Sequence, residues 1–339
     1  MNNNTSSICL LNNTGIDILV WQIGALLFPI LGIPGHFLMI ITMLNSNRRR
    51  SQPTSLYFIF MSITESIYLG FFFWDWLDVV DLAPDPRQIL DCAFFYPFVS
   101  GTGYISLILL VQLNLDRIYI IQKPQQRYSH ITHKRILIKI ILTYSTLLFF
   151  IFHYRFSVYY DLKGFIIFGQ SCSVYQHARI WFYSIWPYIH LFFRLTPCII
   201  MIYCTTYIFY NRCYENYDRK TIAHRQQQTF SLVLICLSIY TFSAVIPISI
   251  LQIFNQQMWK YEFECISCNC IESNIQVKKW KLLNAICIMW ETSIYMNKFY
   301  IKFIFSSDFR YDVKQVIFCR YTTDINKKAN YTDNGSITV

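Results

Sequence analysis

Seven long apolar stretches constrain this chain more than any other feature of its sequence. A membrane-spanning helix needs about 20 mostly apolar residues, and only a backbone that satisfies its own hydrogen bonds is stable in hydrocarbon. Only 14% of the residues are charged, against about 25% in soluble domains. The sequence therefore predicts an all-α membrane protein, a seven-transmembrane helix bundle whose spans are 18–44, 57–80, 93–121, 135–156, 181–210, 229–254 and 282–305.

The spans divide the chain into three parts. Residues 1–17 form a polar outer tail, residues 18–305 form the membrane domain, and residues 306–339 form a second tail. At the start of this second tail, residues 306–318 carry apolar residues at helical spacing with basic residues between them, which predicts a short amphipathic eighth helix. Cys319 follows as a candidate palmitoylation site, with a free thiol as the alternative.

Positive charge is distributed unevenly between the two sides of the predicted bundle. Most of the 29 Lys and Arg residues lie in segments 44–56, 117–139 and 211–228 and in the tail from residue 302. Because basic loops stay on the cytosolic side, we expect a cytosolic C-terminus and, with seven spans, an extracellular N-terminus at the plasma membrane. The net charge of +10 then faces the anionic lipids of the inner leaflet, and we expect no nucleic-acid partner.

The tail before the first span carries three overlapping or neighbouring glycosylation acceptor triplets, which begin at Asn3, Asn4 and Asn12. This agrees with an extracellular N-terminus. The tail has no Lys or Arg and no apolar run that ends in a cleavage site, so we expect the first span to insert without a cleaved signal peptide. Cys92 and Cys172 also fall on the predicted outer side, where disulfides persist.

The predicted third span carries the clearest functional signal. The residues concerned are Cys92 at its outer end, Asp116, Arg117 and Ile118 at its inner end, and Pro124 beyond it. The Pro follows the Asp by 8 residues, and the Cys precedes the Arg by 25. This pattern resembles the Asp-Arg-Tyr signature of rhodopsin-like (class A) G-protein-coupled receptors, with Ile118 in place of the Tyr.

The resemblance covers roughly residues 18–320 and implies a receptor that couples an extracellular ligand to a heterotrimeric G protein. In the family, the Asp holds the Arg at rest, and outward movement of the sixth span opens a cleft for the G protein. Asp116 and Arg117 would then belong to a bistable element that a ligand biases. The alternative is a charge pair that snorkels at a helix end. The resemblance also implies a disulfide between Cys92 and Cys172.

Other positions depart from the family pattern and indicate a divergent member. Glu65 and Ser106 stand where many members bind sodium, although the family has Asp at the first position. A protonated Glu65 hydrogen-bonded between helices is the alternative. Val245 takes the place of the family Trp in the sixth span, and residues 297–300 read Asn-Lys-Phe-Tyr, without the family's Pro.

Six side chains in the outer halves of the spans are candidate ligand contacts, because polar groups inside a membrane are functional candidates by default. They are Ser100, Tyr104, His190, Arg194, Trp290 and Glu291. Arg194 and Glu291 could meet the carboxylate and amine of a peptide, or each other. Val99 stands where amine receptors carry an Asp, which argues against a biogenic amine.

The first outer loop and its flanks are acidic. This charge would steer basic peptides toward the bundle, or it forms a solvated rim; the residues are Asp75, Asp78, Asp81, Asp85 and Asp91. We therefore expect a peptide ligand, with a small-molecule chemosensory receptor of the same fold as the alternative.

The predicted third outer loop, residues 255–281, contains Cys265, Cys268 and Cys270. A Cys-x-x-Cys-x-Cys sequence could bind zinc, but an oxidising outer face favours disulfides. Three cysteines leave one over, for which Cys9 in the outer tail is the natural partner.

The chain carries none of the common enzyme motifs, such as a phosphate-binding Gly-rich loop or a Gly-x-Ser-x-Gly elbow. We expect neither an enzyme nor a bound cofactor. A transporter or channel is the alternative from another class, and it would show inverted repeats and broken helices.

Overall fold

The computed structural model describes residues 16–46, 52–122, 132–166, 169–215, 222–265 and 271–318. These residues form a bundle of α-helices with one two-stranded hairpin. Six helices are long and apolar enough to cross a membrane, which indicates a multi-pass membrane protein. They are α1 (Ile16–Asn45), α2 (Ser55–Val79), α4 (Cys92–Gln122), α5 (His133–Ile151), α7 (Trp186–Glu215) and α8 (Ile222–Cys265).

The other elements are one further long helix and several short ones. The long helix is α9 (Ile271–Phe305), which is less apolar than the six because Glu291, Asn297 and Lys298 lie along it. It packs along α1 and α8. The remaining elements are α3 (Pro86–Leu90), α6 (Tyr154–Ser157), β1 (Val158–Ile166), β2 (Gly169–Val174), a 3-10 turn (Gln176–Ala178), a π-helical turn (Trp181–Ile185) and α10 (Ser307–Ile317).

The prediction of a long outer loop at residues 255–281 is wrong over most of that segment, which is helical. Helix α8 continues to Cys265 and α9 begins at Ile271, so both helices extend well beyond the apolar stretches that predicted them. The physical reason is that the segment contains neither Gly nor Pro, the residues that most often end a helix. Of the cysteines proposed for this loop, Cys268 and Cys270 lie outside the described residues, as does Cys9.

A β-hairpin follows α6, so the prediction of an entirely α-helical fold missed one element. Strands β1 and β2 pair antiparallel, with Tyr160 opposite Cys172. Cys172 forms the implied disulfide with Cys92, and the two Cα atoms are 6.1 Å apart. Both cysteines are fully buried. The bond attaches the hairpin to the first residue of α4 and defines the end of the bundle that we call the hairpin end.

Helix α4 lies at the centre of the bundle, and the buried share of its apolar segment is the largest of the six long helices. It packs against α2, α5 and α7, and buried residues such as Leu107, Leu110 and Leu113 belong to the largest apolar cluster. The outer helices expose large apolar side chains, including Phe37, Phe149 and Phe192, on their outward faces. Apolar surface of this extent is typical of contact with lipid.

Helix α10 has a short amphipathic sequence and packs against the rest of the bundle on one face. Ser306 caps its first turn by accepting a hydrogen bond from the backbone N–H of Phe309, at 3.2 Å. Phe309 and Val313 are buried in the main cluster, while the Nζ atom of Lys302 lies 3.3 Å from the ring centroid of Phe58 and 5.1 Å from that of Phe309. Cys319 lies outside the described residues.

Close approach of α1 to its neighbours depends on glycine. A Cβ atom at Gly32 would come within 2.4 Å of Cδ1 of Leu69 in α2 and 3.3 Å of the Cα of Met296 in α9. Small residues at such contacts are the usual means by which membrane helices pack closely, because there is no hydrophobic drive to associate in lipid. Gly32 therefore sets the spacing of three helices.

We expect Gly32→Ala to lower stability by about 1–3 kcal/mol, since the added carbon forces α1 away from α2 and α9. Gly70→Ala is the matched control, because a Cβ at Gly70 meets nothing within 4 Å and Ala favours helix. Thermal denaturation of the purified protein in detergent measures both variants. Equal midpoints for Gly32→Ala and Gly70→Ala would contradict the packing role.

Candidate functional site

A cavity of about 160 Å³ opens between the helices at the hairpin end. Helices α1, α2, α4, α7, α8 and α9 contribute to its wall, together with Arg87 of α3. Its lining is mostly aromatic, with rings that include Trp21, Tyr68, Phe71, Phe72, Phe95, Tyr96, Tyr104 and Tyr295. Edge-to-face contacts order these rings, as between Phe71 and Phe95, whose centroids are 5.8 Å apart. A concave apolar space with a few polar groups is typical of a small-molecule site.

Five of the six candidate ligand contacts line this cavity: Ser100, Tyr104, His190, Arg194 and Glu291. The exception is Trp290, which is 43% exposed on the outer surface. Trp290 does not line this cavity, because adjacent residues of a helix point about 100° apart and Glu291 is the one that faces inward.

The ring of Tyr104 packs edge-on against the imidazole of His190, with centroids 5.2 Å apart. Both side chains are buried, and they bring α4 and α7 together at the wall of the cavity. Arg194 lies one helical turn beyond His190 on the same face of α7.

Arg194 and Glu291 meet each other across the cavity wall. The distance from Nη2 of Arg194 to Oε1 of Glu291 is 3.2 Å, and both side chains are largely buried. The sequence left open whether these charges contact a ligand or one another, and the structure pairs them. The pair leaves Nη1 of Arg194 without a hydrogen-bond partner, so this nitrogen can donate a hydrogen bond to a ligand.

Arg87 is a site residue that sequence reasoning missed. Its guanidinium pairs with the carboxylates of Asp75 and Asp85, the latter at 3.1 Å, and lies 4.9 Å from the ring centroid of Phe95. Burial disfavours its charge, but the nearby carboxylates, Asp75 foremost, outweigh burial and raise the pKa of Arg87. One sequence signal could have indicated the position of Arg87: Asp85-Pro86-Arg87 is typical of the start of a helix.

The acidic first outer loop is thus largely paired rather than a free negative rim. Besides the two carboxylates bound by Arg87, Oδ2 of Asp78 lies 4.0 Å from that guanidinium and Oδ2 of Asp91 lies 3.6 Å from Arg155. The five carboxylates still outnumber the two guanidinium groups, so the loop keeps a net negative charge. Steering of a basic peptide by this charge stays a prediction.

The two sodium-site candidates lie together deep in the bundle and share a protein cation. Nζ of Lys298 forms an ion pair with the carboxylate of Glu65 and donates a hydrogen bond to Oγ of Ser106 at 2.5 Å. Ser106 also donates to Glu65. All three side chains are buried. The ammonium group of Lys298 thus stands where a cation bound by Glu65 and Ser106 would stand.

His36 completes this polar cluster. Its Nε2 atom lies 2.5 Å from the backbone carbonyl oxygen of Tyr295 and 3.7 Å from Oε2 of Glu65. The cluster therefore joins α1, α2, α4 and α9 in the interior. Sequence reasoning had noted the Glu and the Ser but not their partner, because Lys298 is 233 positions from Glu65.

At the end of α4 opposite the hairpin, the signature residues have separate partners. Oδ1 of Asp116 pairs with Nζ of Lys139 at 2.5 Å, and its Oδ2 accepts a hydrogen bond from the hydroxyl of Tyr57 at 2.7 Å. The resemblance implied an ion pair between Asp116 and Arg117. In the structure the carboxylate of Asp116 instead contacts Tyr57 of α2 and Lys139 of α5. Ile118 is buried in an apolar cluster with residues of α7 and α8.

Arg117 links α4 to α8. Its Nε and Nη2 atoms donate to Oγ of Ser231 at 3.2 and 3.0 Å, and its guanidinium carbon lies 5.6 Å from the ring centroid of Phe230. Ser231 was not identified from the sequence, since a Ser in an apolar stretch carries no signal of its own. Arg117 is 17 positions after Ser100 of the cavity, which is about 25 Å along a helix.

Several predicted site residues lie outside the described residues. They are Asn3, Asn4 and Asn12 of the outer tail, Pro124 after the signature, and Cys319.

Comparison with known proteins gives no family assignment. No family model matches the chain, and no curated protein matches it significantly.

We expect Lys298→Met and Glu65→Gln each to lower stability by about 3–5 kcal/mol, because each leaves the other charge buried and unpaired. The double variant should recover most of the loss, since a neutral pair of similar volume replaces the ion pair. Thermal denaturation of detergent-purified protein measures the cycle, with Lys314→Met on the exposed face of α10 as the control. Additive losses in the double variant would show that the two residues are not coupled.

Proposed function

We propose that this protein is a rhodopsin-like G-protein-coupled receptor that binds an extracellular ligand in the cavity and activates a heterotrimeric G protein. The observation that carries the proposal is the contact of Arg117 with Ser231, which closes α4 against α8 at the end opposite the cavity. The contact joins the helix that bears the receptor-like signature to the helix whose movement opens a receptor. No enzymatic role forms part of the proposal.

The proposed topology adds α9 to the six apolar helices as a seventh span. Its charges are compatible with a membrane interior because Glu291 and Lys298 each have an oppositely charged partner. We place the N-terminus outside the cell, the hairpin on the extracellular side of the plasma membrane, and α10 on the cytosolic lipid surface. The distribution of Lys and Arg supports this orientation.

The latch between Arg117 and Ser231 suits a two-state switch. A hydrogen bond to a charged group contributes about 1.5–3 kcal/mol, which is small enough for a ligand to overcome. Because Lys139 and Tyr57 compensate the charge of Asp116, Arg117 can exchange Ser231 for a G-protein group without leaving that carboxylate unpaired.

Polar contacts run through the interior between the cavity and the latch. The side-chain amide of Asn114 in α4 donates to Oγ of Ser238 in α8 at 3.2 Å. That of Asn297 in α9 donates to the hydroxyl of Tyr240 in α8 at 2.7 Å. In the proposed mechanism, ligand contacts in the cavity shift α8 relative to α4 and α9, and these bonds rearrange with it.

The cavity favours the small-molecule alternative over a peptide ligand. At about 160 Å³ it is smaller than the 300–1,000 Å³ typical of drug-sized ligands, a volume that suits one ring or a single side chain rather than several residues of a peptide. A transporter would instead be supported by substrate flux in reconstituted vesicles without any effect on nucleotide exchange.

We expect Ser231→Ala to raise basal nucleotide exchange on a co-expressed G protein about ten-fold, because the resting state loses its hydrogen bonds to Arg117. Ser249→Ala is the matched control, since this buried Ser of α8 donates only within its own helix, to the carbonyl of Val245 at 2.8 Å. Binding of a non-hydrolysable GTP analogue to membranes measures the effect. An unchanged rate in Ser231→Ala would overturn the latch.

We expect Arg117→Ala to abolish exchange, including the raised exchange of Ser231→Ala, while surface expression remains. The Arg supplies the group that meets the G protein, so the double variant should match membranes that lack the receptor. Surface labelling controls for expression. Full exchange in the double variant would show that Arg117 has no role in coupling.

A further inference from the structure

The volume of the cavity matches a ligand of about one ring. An apolar cavity of about 150 Å³ holds a benzene molecule, and this one measures about 160 Å³. Its wall is formed by aromatic rings from α1, α2, α4 and α9, which pack best against a flat apolar body.

The charges around the cavity exclude a charged ligand. Among the lining residues, all of which the structure describes, the two carboxylates are Asp75 and Glu291, and each is bound by a guanidinium, that of Arg87 or Arg194. An ammonium ligand would have to displace one of these pairs. A carboxylate ligand beside Arg194 would also face Glu291 in a medium where repulsion is strong. A neutral ligand meets neither difficulty.

The buried polar atoms of the wall without a hydrogen-bond partner include two donors, Nη1 of Arg194 and the hydroxyl of Tyr104. Tyr104 is only 3% exposed. A buried group without a hydrogen bond costs about 1–3 kcal/mol, which an acceptor on a ligand would restore. The ring of Tyr104 contacts His190, and Arg194 follows His190 by one turn of α7, so the two residues belong to the same part of the wall.

We propose that the ligand is a small uncharged molecule with a flat apolar body and one hydrogen-bond acceptor, of the class of aromatic ketones and aldehydes. Its carbonyl oxygen accepts from Arg194 and Tyr104, and its ring packs among the aromatic residues of α2 and α4. This assignment rests on the proposed receptor function for its physiological meaning, but the binding itself is measured without a G protein.

The test compares four fluorinated probes of nearly equal size. They are 4-fluoroacetophenone, which has the acceptor, 4-fluoroethylbenzene, which lacks it, 4-fluorobenzoate, an anion, and 4-fluorobenzylamine, a cation. Fluorine NMR measures the binding of each to the purified full-length protein in nanodiscs, with empty nanodiscs subtracted for partition into lipid. We expect the ketone to bind most tightly of the four.

Two pairs of variants separate the acceptor contact from the shape of the cavity. Tyr104→Phe should weaken ketone binding about five-fold, as loss of one hydrogen bond implies, and leave ethylbenzene binding unchanged. The control is Tyr188→Phe, since Tyr188 is 63% exposed on the outer surface. Gly103→Ala should weaken both probes, because its Cβ would lie 2.9 Å from the hydroxyl of Tyr295 inside the cavity, whereas Gly70→Ala meets nothing within 4 Å and should change neither.

The ligand class is wrong if the anion or the cation binds more tightly than the ketone, if no probe binds, or if Tyr104→Phe weakens ketone and hydrocarbon equally. Failure of the receptor function is recognised separately. In that case the ketone binds as described, but Ser231→Ala and Arg117→Ala leave nucleotide exchange unchanged.

Discussion

The ion pair between Lys298 and Glu65 permits the least apolar long helix of this protein to lie inside the bundle. A lone charge in a medium without water is very costly, so charged groups within a membrane protein are stable only with partners. Three charged side chains of α9 are buried in the part of the chain that the structure describes, and each has a partner. Glu291 faces Arg194, Lys298 faces Glu65, and Lys302 lies against the rings of Phe58 and Phe309. The charged residues that lower the mean hydropathy of α9 also make its packing specific, because each buried charge has to meet its own partner.

The two ends of the bundle perform different tasks in the proposed function. At the hairpin end, charges are paired in the cavity wall and two donors remain for a neutral ligand. At the other end, Asp116 is held by Lys139 and Tyr57, which leaves Arg117 to bridge α4 and α8 through Ser231. A ligand that alters the contact of α8 with the cavity would change the stability of that bridge, because α8 contributes Ile248 to the cavity and Ser231 to the bridge.

Long apolar stretches located five of the seven long helices within about five residues, as for 93–121 against Cys92–Gln122. Prediction failed where no apolar pattern was available. Helices α8 and α9 continue through polar sequence because nothing in it ends a helix, and the β-hairpin forms because the disulfide and α4 support two short strands. In the site, five of six candidate contacts line the cavity. Trp290 lies outside it, because the face of α9 on which a residue falls depends on how that helix is rotated.

The sequence by itself determined which stretches are apolar enough to cross a bilayer and the position of the acid–Arg motif at the end of one of them. These follow from local composition and spacing. Only the tertiary structure decided which buried charges meet, since the partners come from different helices: Lys298 and Glu65 are 233 positions apart, and Arg117 and Ser231 are 114 apart. The choice depends on the rotation and depth of each helix, and these are fixed only when all the helices pack together.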